Sequence, residues 1–186
     1  MILNERMLVR LFKKFVIKQL KEWVPTLAFA FILALVVNTY VAQAMKVPTG
    51  SMLPTIQLQD ELIVEKMKPL TDFGFGDIVV FWPPLEGNED RYVKRLIGLP
   101  GDTIEVKGGA LYRNGVKVDE PYIQAPMTYT YHQVTVPEGK YFFLGDNRND
   151  SYDSHLWPST PFVDEKDIIG KVVFRIFPFS QIGTVE

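Results

Sequence analysis

The chain has 186 residues, a formal net charge of -2 and 47% hydrophobic residues, enough for one domain of ordinary size plus an anchor. That balance excludes a disordered chain and argues against a nucleic-acid binder. There is no cysteine, and the only histidines are His132 and His155. Disulfides, thiolate catalysis and cysteine-ligated metals are therefore out, while the compartment is left open.

The charge is unevenly placed. Residues 1–22 carry six basic residues against Glu5 and Glu22, a local net of +4 that leaves -6 for the rest. Helical spacing puts Leu8, Leu11, Phe12, Phe15 and Gln19 on one face and Arg10, Lys14, Lys18 and Lys21 on another, which predicts a basic interfacial helix on the cytoplasmic leaflet. From Trp23 to Met45 no residue is charged, a run of 23 positions. That suffices for a helix across a ~30 Å hydrocarbon core. Pro25 fits the first turn of this helix, and Trp23 and Tyr40 fit its two interfaces. The basic flank precedes the span, so the positive-inside rule puts the N-terminus in the cytoplasm and the residues after about 45 on the far side. A buried core helix and a cleaved signal peptide compete with this reading. Ala42-Gln43-Ala44 has the small-x-small cleavage pattern, but the apolar run exceeds the usual ~7–15 residues.

After residue 46 short apolar runs rich in β-branched and aromatic residues take over. Candidate strands are Glu61–Lys66, Asp77–Trp82, Arg91–Ile97, Thr103–Lys107, Ala110–Arg113, Val116–Val118, Tyr141–Leu144 and Ile169–Phe177. Gly108-Gly109 and Asn114-Gly115 are hairpin turn signals. This pattern predicts a mostly β, antiparallel, sandwich- or barrel-like domain over residues 46–186. Residues 83–90 and 124–133 read as loops.

Three segments carry chemistry. Ser51 lies in Pro48-Thr49-Gly50-Ser51-Met52-Leu53-Pro54-Thr55, a loop just past the span; alone it reads as an ordinary turn serine. Lys94 lies in the strand-like run Tyr92–Asp102, sharing a face with Tyr92 and Leu96, while Val93, Arg95 and Ile97 share the other. Alone it reads as a surface lysine. To act as a base it must be desolvated, because a free lysine is protonated at neutral pH. The third segment, Gly145–His155, is a dense polar run that predicts a loop tied by its own side chains. It fails as a calcium loop, with Arg148 and Trp157 where an EF-hand places ligands. A Ser-His-Asp arrangement is the rival mechanism. His155 is close to Asp153 in sequence, but residues two apart seldom orient one onto the other. Neither G-x-S-x-G nor S-x-x-K surrounds Ser51, so a lysine partner has to come from a distant strand.

In this order, behind one span, the three segments closely resemble the serine, lysine and third boxes of the bacterial type I signal peptidases, the leader peptidases with a serine–lysine dyad. The resemblance covers the anchor and nearly all of residues 46–178. It implies a catalytic β-sheet domain with a smaller β lobe at about 103–140, behind a transmembrane helix at 23–45 and a cytoplasmic segment at 1–22. It implies that Ser51 is the nucleophile and Lys94 the general base. The Ser51 N–H and the Thr49 hydroxyl would form the oxyanion hole, and Ser151 would hydrogen-bond Lys94. Gly145 would leave room beside the lysine, and Asp146, Arg148 and Asp153 would brace the loop. The substrate would lie as an added strand between Val47 and Tyr92–Val93, with Met52 and Ile56 lining shallow pockets.

The resemblance further implies removal of signal peptides from exported preproteins, with cleavage after small residues. No cofactor or metal is implied, nor any nucleic-acid partner. The protein would work as a monomer at a lipid bilayer. Many members have arginine where this chain has His155. An arginine bridge to Asp153 is then lost or replaced by a pH-sensitive Asp153–His155 contact. Histidine here is similar to the thylakoid-type branch, which leaves the plasma membrane and a thylakoid-type membrane both open. A non-catalytic membrane-anchored binding protein on the same fold is the alternative reading. A self-cleaving serine–lysine regulator fits less well, since such regulators are soluble. The aromatic residues Trp82, Trp157, Phe177 and Phe179 suggest a surface that dips into the bilayer.

Overall fold

The computed structural model describes residues 5–67 and 71–185; residues 1–4 of the basic segment and Glu186 lie outside it. The chain divides into two units, Met1–Val41 and Ala42–Glu186.

The first unit is one helix, α1, over Glu5–Val36, ending in a π-helical turn at Val37–Val41. The basic segment and the apolar run are therefore continuous, and Pro25 sits inside the helix rather than in its first turn. No glycine separates the two stretches. The proline removes one backbone donor and leaves the rest of the ladder in place. Leu27, Phe29, Phe31 and Leu33 are all more than half exposed. A helix apolar on every side suits a hydrocarbon surrounding rather than water. Its length and composition are sufficient to cross a membrane.

The expected helix to Met45 stops short, because Ala42–Lys46 is strand β1. These residues pair with Glu61–Glu65 (β2) from Ala42↔Glu65 to Lys46↔Glu61. Met45 turns into the core. Lack of charge does not distinguish the last turn of an apolar helix from a half-buried strand. The uncharged helical part, Trp23–Val41, still reaches roughly 28 Å at ~1.5 Å per residue.

The second unit is built from two antiparallel sheets. Its further strands are β3 (Ile78–Phe81), β4 (Tyr92–Gly98), β5 (Thr103–Lys107), β6 (Ala110–Arg113), β7 (Val116–Lys117), β8 (Tyr131–Thr135), β9 (Lys140–Leu144), β10 (Val163–Asp164) and β11 (Ile168–Phe177). The larger sheet has the order β1-β2-β11-β3-β4-β9-β10, and the smaller β7-β6-β5-β8. Asn114 and Gly115 both have positive φ, 53° and 76°, as the hairpin between β6 and β7 requires. The smaller sheet falls within the stretch where the resemblance places a β lobe. β8 begins inside the segment read as a loop to residue 133. Its side chains are mostly exposed, so the strand shows no apolar alternation.

Phe81 of β3 stacks on Phe143 of β9 at 4.2 Å between ring centroids. Trp157 packs edge-on to Phe81 and is buried, so it forms no part of an exposed aromatic surface. Trp82, Phe177 and Phe179 do remain exposed.

Candidate active site

Ser51 follows β1 in a tight loop. The loop is closed at its base by Val47, whose N–H donates to the Asp60 carbonyl and whose carbonyl accepts from the Gln59 N–H. Within it, the Ile56 N–H donates to the Met52 carbonyl at 2.9 Å. Met52 and Ile56 are both fully buried apolar anchors. A second strap comes from the third box: the Asn147 N–H donates to the Ser51 carbonyl at 3.1 Å, and Asn147 Nδ2 donates to the Gly50 carbonyl at 3.2 Å.

Lys94 lies in β4, an interior strand covered on both faces, and is 4% exposed. Its Nζ donates to Ser51 Oγ. Burial pushes the Lys94 amine down from its ordinary 10.5 to about 8, against the opposing pull of the Asp153 and Asp146 carboxylates. A substantial fraction of such an amine is neutral near pH 8 and able to take a proton. Thr49 Oγ1 stands 3.4 Å from Ser51 Oγ.

The neighbouring Arg95 points to the opposite face. Its Nε and Nη2 bind the two Asp146 carboxylate oxygens at 2.8 and 2.7 Å, and Thr55 Oγ1 donates to Asp146 Oδ2 at 2.5 Å. Arg148 Nε donates to the Gly145 carbonyl at 3.0 Å. Its Nη1 and Nη2 form a two-pronged pair with Glu120 at 2.6 and 2.7 Å. Tyr122 Oη donates to Glu120, and the Tyr122 ring lies 3.9 Å from the Arg95 guanidinium carbon. Sequence reasoning missed Arg95, Glu120, Tyr122 and Asn147. A charged residue inside the apolar run of β4 was the one signal available for Arg95. Glu120 and Tyr122 gave none, since their partners lie elsewhere in the chain.

Three expectations need correction. Ser151 Oγ is buried but has no hydrogen-bond partner among the described residues, so the Ser151–Lys94 bond is not made. The loop seats this hydroxyl against Gly145 instead. A Cβ on Gly145 would come within 2.2 Å of Ser151 Oγ and 2.4 Å of the Ser51 carbonyl oxygen. The room left by the glycine thus serves Ser151 and the backbone of Ser51. Ile56 belongs to the core behind the loop rather than to the cleft wall. Finally, Asp153 does orient onto His155: the His155 Nδ1 to Asp153 Oδ1 distance is 2.6 Å. A tight turn in the chain brings the two side chains together despite their spacing.

A cleft of about 720 Å³ opens beside the pair, lined on one side by Met45–Met52 and on the other by Glu89–Lys94. β1 is an edge strand. β9 pairs with β4 only from Arg95↔Leu144 onward, which leaves the Tyr92–Lys94 backbone open on that side. Two free backbone edges flank one cleft, a geometry that accepts an extended peptide. Among the described residues no group of three or more carboxylates and histidines is placed to hold a metal ion.

A serine hydroxyl bonded to a desolvated amine at the side of such a cleft belongs to the hydroxyl–amine class of acyl-transfer sites. The family model "Signal peptidase, peptidase S26" matches residues 20–177. The chain is 44% identical over 163 residues to "Probable signal peptidase I-2" of Synechocystis, covering 85% of this chain and 73% of that one. It is 40% identical to "Signal peptidase I" of Leptolyngbya laminosa, with coverage of 88% and 83%. It is 37% identical to "Signal peptidase I S" of Bacillus subtilis, with coverage of 89% and 93%. A solved signal peptidase I from Enterococcus faecalis is similar over 54% of this chain and 97% of that one, at 36% identity and a TM-score of 0.44. The chain belongs to the signal peptidase family, peptidase S26, and is a peptidase.

Proposed function

We propose that the chain is a membrane-anchored serine endopeptidase that removes N-terminal signal peptides from exported preproteins, with Ser51 as nucleophile and Lys94 as general base. The observation that carries this reading is the hydrogen bond between the buried Lys94 amine and Ser51 Oγ. Neutral Lys94 takes the Ser51 hydroxyl proton as Oγ attacks the scissile carbonyl carbon. The oxygen that gains negative charge is received by the Ser51 N–H and the Thr49 hydroxyl. Collapse breaks the C–N bond, and Lys94 returns its proton to the leaving amine. Lys94 then takes a proton from a water that attacks the acyl-enzyme ester, and returns it to Ser51 Oγ as the ester bond breaks.

The substrate pairs as a strand between the Val47 side and Tyr92–Val93, with Met52 behind the residue next to the scissile bond. Met52, Val47 and Val93 already fill the wall, which favours small side chains in the substrate. Gly145, Asp146, Arg148 and Asp153 support the pair. On this reading the protein works as a monomer at a lipid bilayer. The N-terminus is cytoplasmic, and the site lies on the extracytoplasmic side of a plasma membrane or thylakoid-type membrane.

Incubation of a labelled preprotein with the detergent-solubilised full chain tests the reading. Wild-type enzyme is expected to cut after a small-x-small motif, and Ser51→Ala and Lys94→Ala to lose processing. A fully active Lys94→Ala enzyme would sink the dyad.

A further inference from the structure

His155 is the member of the third box whose role the peptidase reading leaves open. Its ring is nearly enclosed: the side chain is 8% exposed and stacks face to face on Tyr129, with centroids 4.0 Å apart and planes 7° apart. Its Nδ1 meets Asp153 Oδ1 at 2.6 Å. A carboxylate only accepts, so Nδ1 carries the hydrogen. The other oxygen, Asp153 Oδ2, accepts from the Gly145 N–H at 2.9 Å. Asp153 is completely buried, and it is the stronger of two carboxylates that favour the charged form of Lys94. One carboxylate therefore touches His155, holds the glycine beside Ser51, and acts on the Lys94 amine.

We propose that His155 is a positioning residue for Lys94 that acts through Asp153: the charge on its ring sets how much of the Asp153 field reaches the amine. The inference rests on the Ser51–Lys94 reading above. With a neutral ring, the Asp153 anion acts in full and holds a proton on Lys94. With a protonated ring, the imidazolium offsets the anion, and Lys94 gives up its proton more readily. Charge on the ring and charge on the amine thus oppose one another through Asp153. The surroundings add no competing switch. Burial raises the phenol of Tyr129, the stacked neighbour, so it stays neutral. Behind it, Arg148 and Glu120 neutralise one another as a buried pair. Tyr131, the other phenol that feels Asp153, is likewise raised by burial. Asp146, the second carboxylate acting on Lys94, is matched by Arg95. The one titratable side chain that Asp153 hydrogen-bonds among the described residues is His155.

The test is the pH profile of kcat/KM for the full chain in detergent micelles, using a fluorogenic peptide with an Ala-x-Ala site. His155→Gln cannot become cationic, and His155→Arg always is. The His155→Gln to wild-type activity ratio is expected to fall at least about threefold between pH 9 and pH 6. The His155→Arg ratio is expected to rise by a similar factor over the same range. A purely structural role would lower both ratios equally at every pH, and two flat ratios overturn the proposal. If only one variant folds, its ratio alone decides, since each has its own predicted slope. Wild-type enzyme that cuts no such peptide at any pH overturns the dyad reading and this inference with it. Wild-type cleavage with flat ratios overturns this inference alone.

Discussion

Lys94 carries an energetic burden that can be read directly. Its amine titrates near 8 when folded and at an ordinary 10.5 when exposed. The unfolded chain therefore binds more protons between these values, and this group's contribution to stability rises with pH across that window. Below about 8 the full penalty of burying the cation is present, on the order of 3 kcal/mol at ~1.4 kcal/mol per pH unit. Lys94→Met is expected to abolish cleavage and to raise stability at pH 7 by roughly 1–3 kcal/mol, as read from denaturant midpoints. In the proposed dyad the same ionisation sets activity. The acid limb of the wild-type kcat/KM profile is expected near pH 8, with a plateau above it, and a limb at pH 5–6 would remove Lys94 as the base. The Ser51–Lys94 contact was legible because few other nucleophile and base pairs exist in this chain. The Asp153–His155 contact was misjudged, because sequence spacing says little about a tight turn.

At the scale of elements, eight strands were legible from β-branched runs and turn residues, most closely β5 and β6. The missed ones fail for separate physical reasons. β1 continues an uncharged run, β8 keeps its side chains in solvent, and β10 has only two residues. The segment between β7 and β8 is the least legible part of the site. It supplies Glu120 and Tyr122 to two arginines on other elements, and such partnerships leave no periodic trace. Arg148 and Glu120 are 1% and 3% exposed. Removing one partner strands a buried charge, a loss of about 3–5 kcal/mol. Glu120→Ala is expected to destabilise the enzyme by that amount in chemical denaturation. Its kcat should fall more than its KM changes, because Arg148 also holds the Gly145 carbonyl.

For the whole molecule, the charge asymmetry and the exposed apolar helix lead to one topological expectation. A reporter fused ahead of residue 1 should stay protected from protease added outside intact cells, whereas the β unit should be digested or accessible to antibody. The reverse pattern would contradict the positive-inside orientation.

The strap from Asn147 to the Ser51 loop has a consequence in time. The chain is made from its N-terminus, so Ser51 and Lys94 leave the ribosome long before residues 145–155 exist. Until then the Ser51 carbonyl lacks its donor, Arg95 lacks Asp146, and the cover over Lys94 is incomplete. Contacts this distant in sequence form late, after the cost of closing the loop between them has been met. The unfinished chain holds both residues of the proposed dyad without the scaffold that aligns them. In the proposed dyad, competence arrives only with the last quarter of the polypeptide.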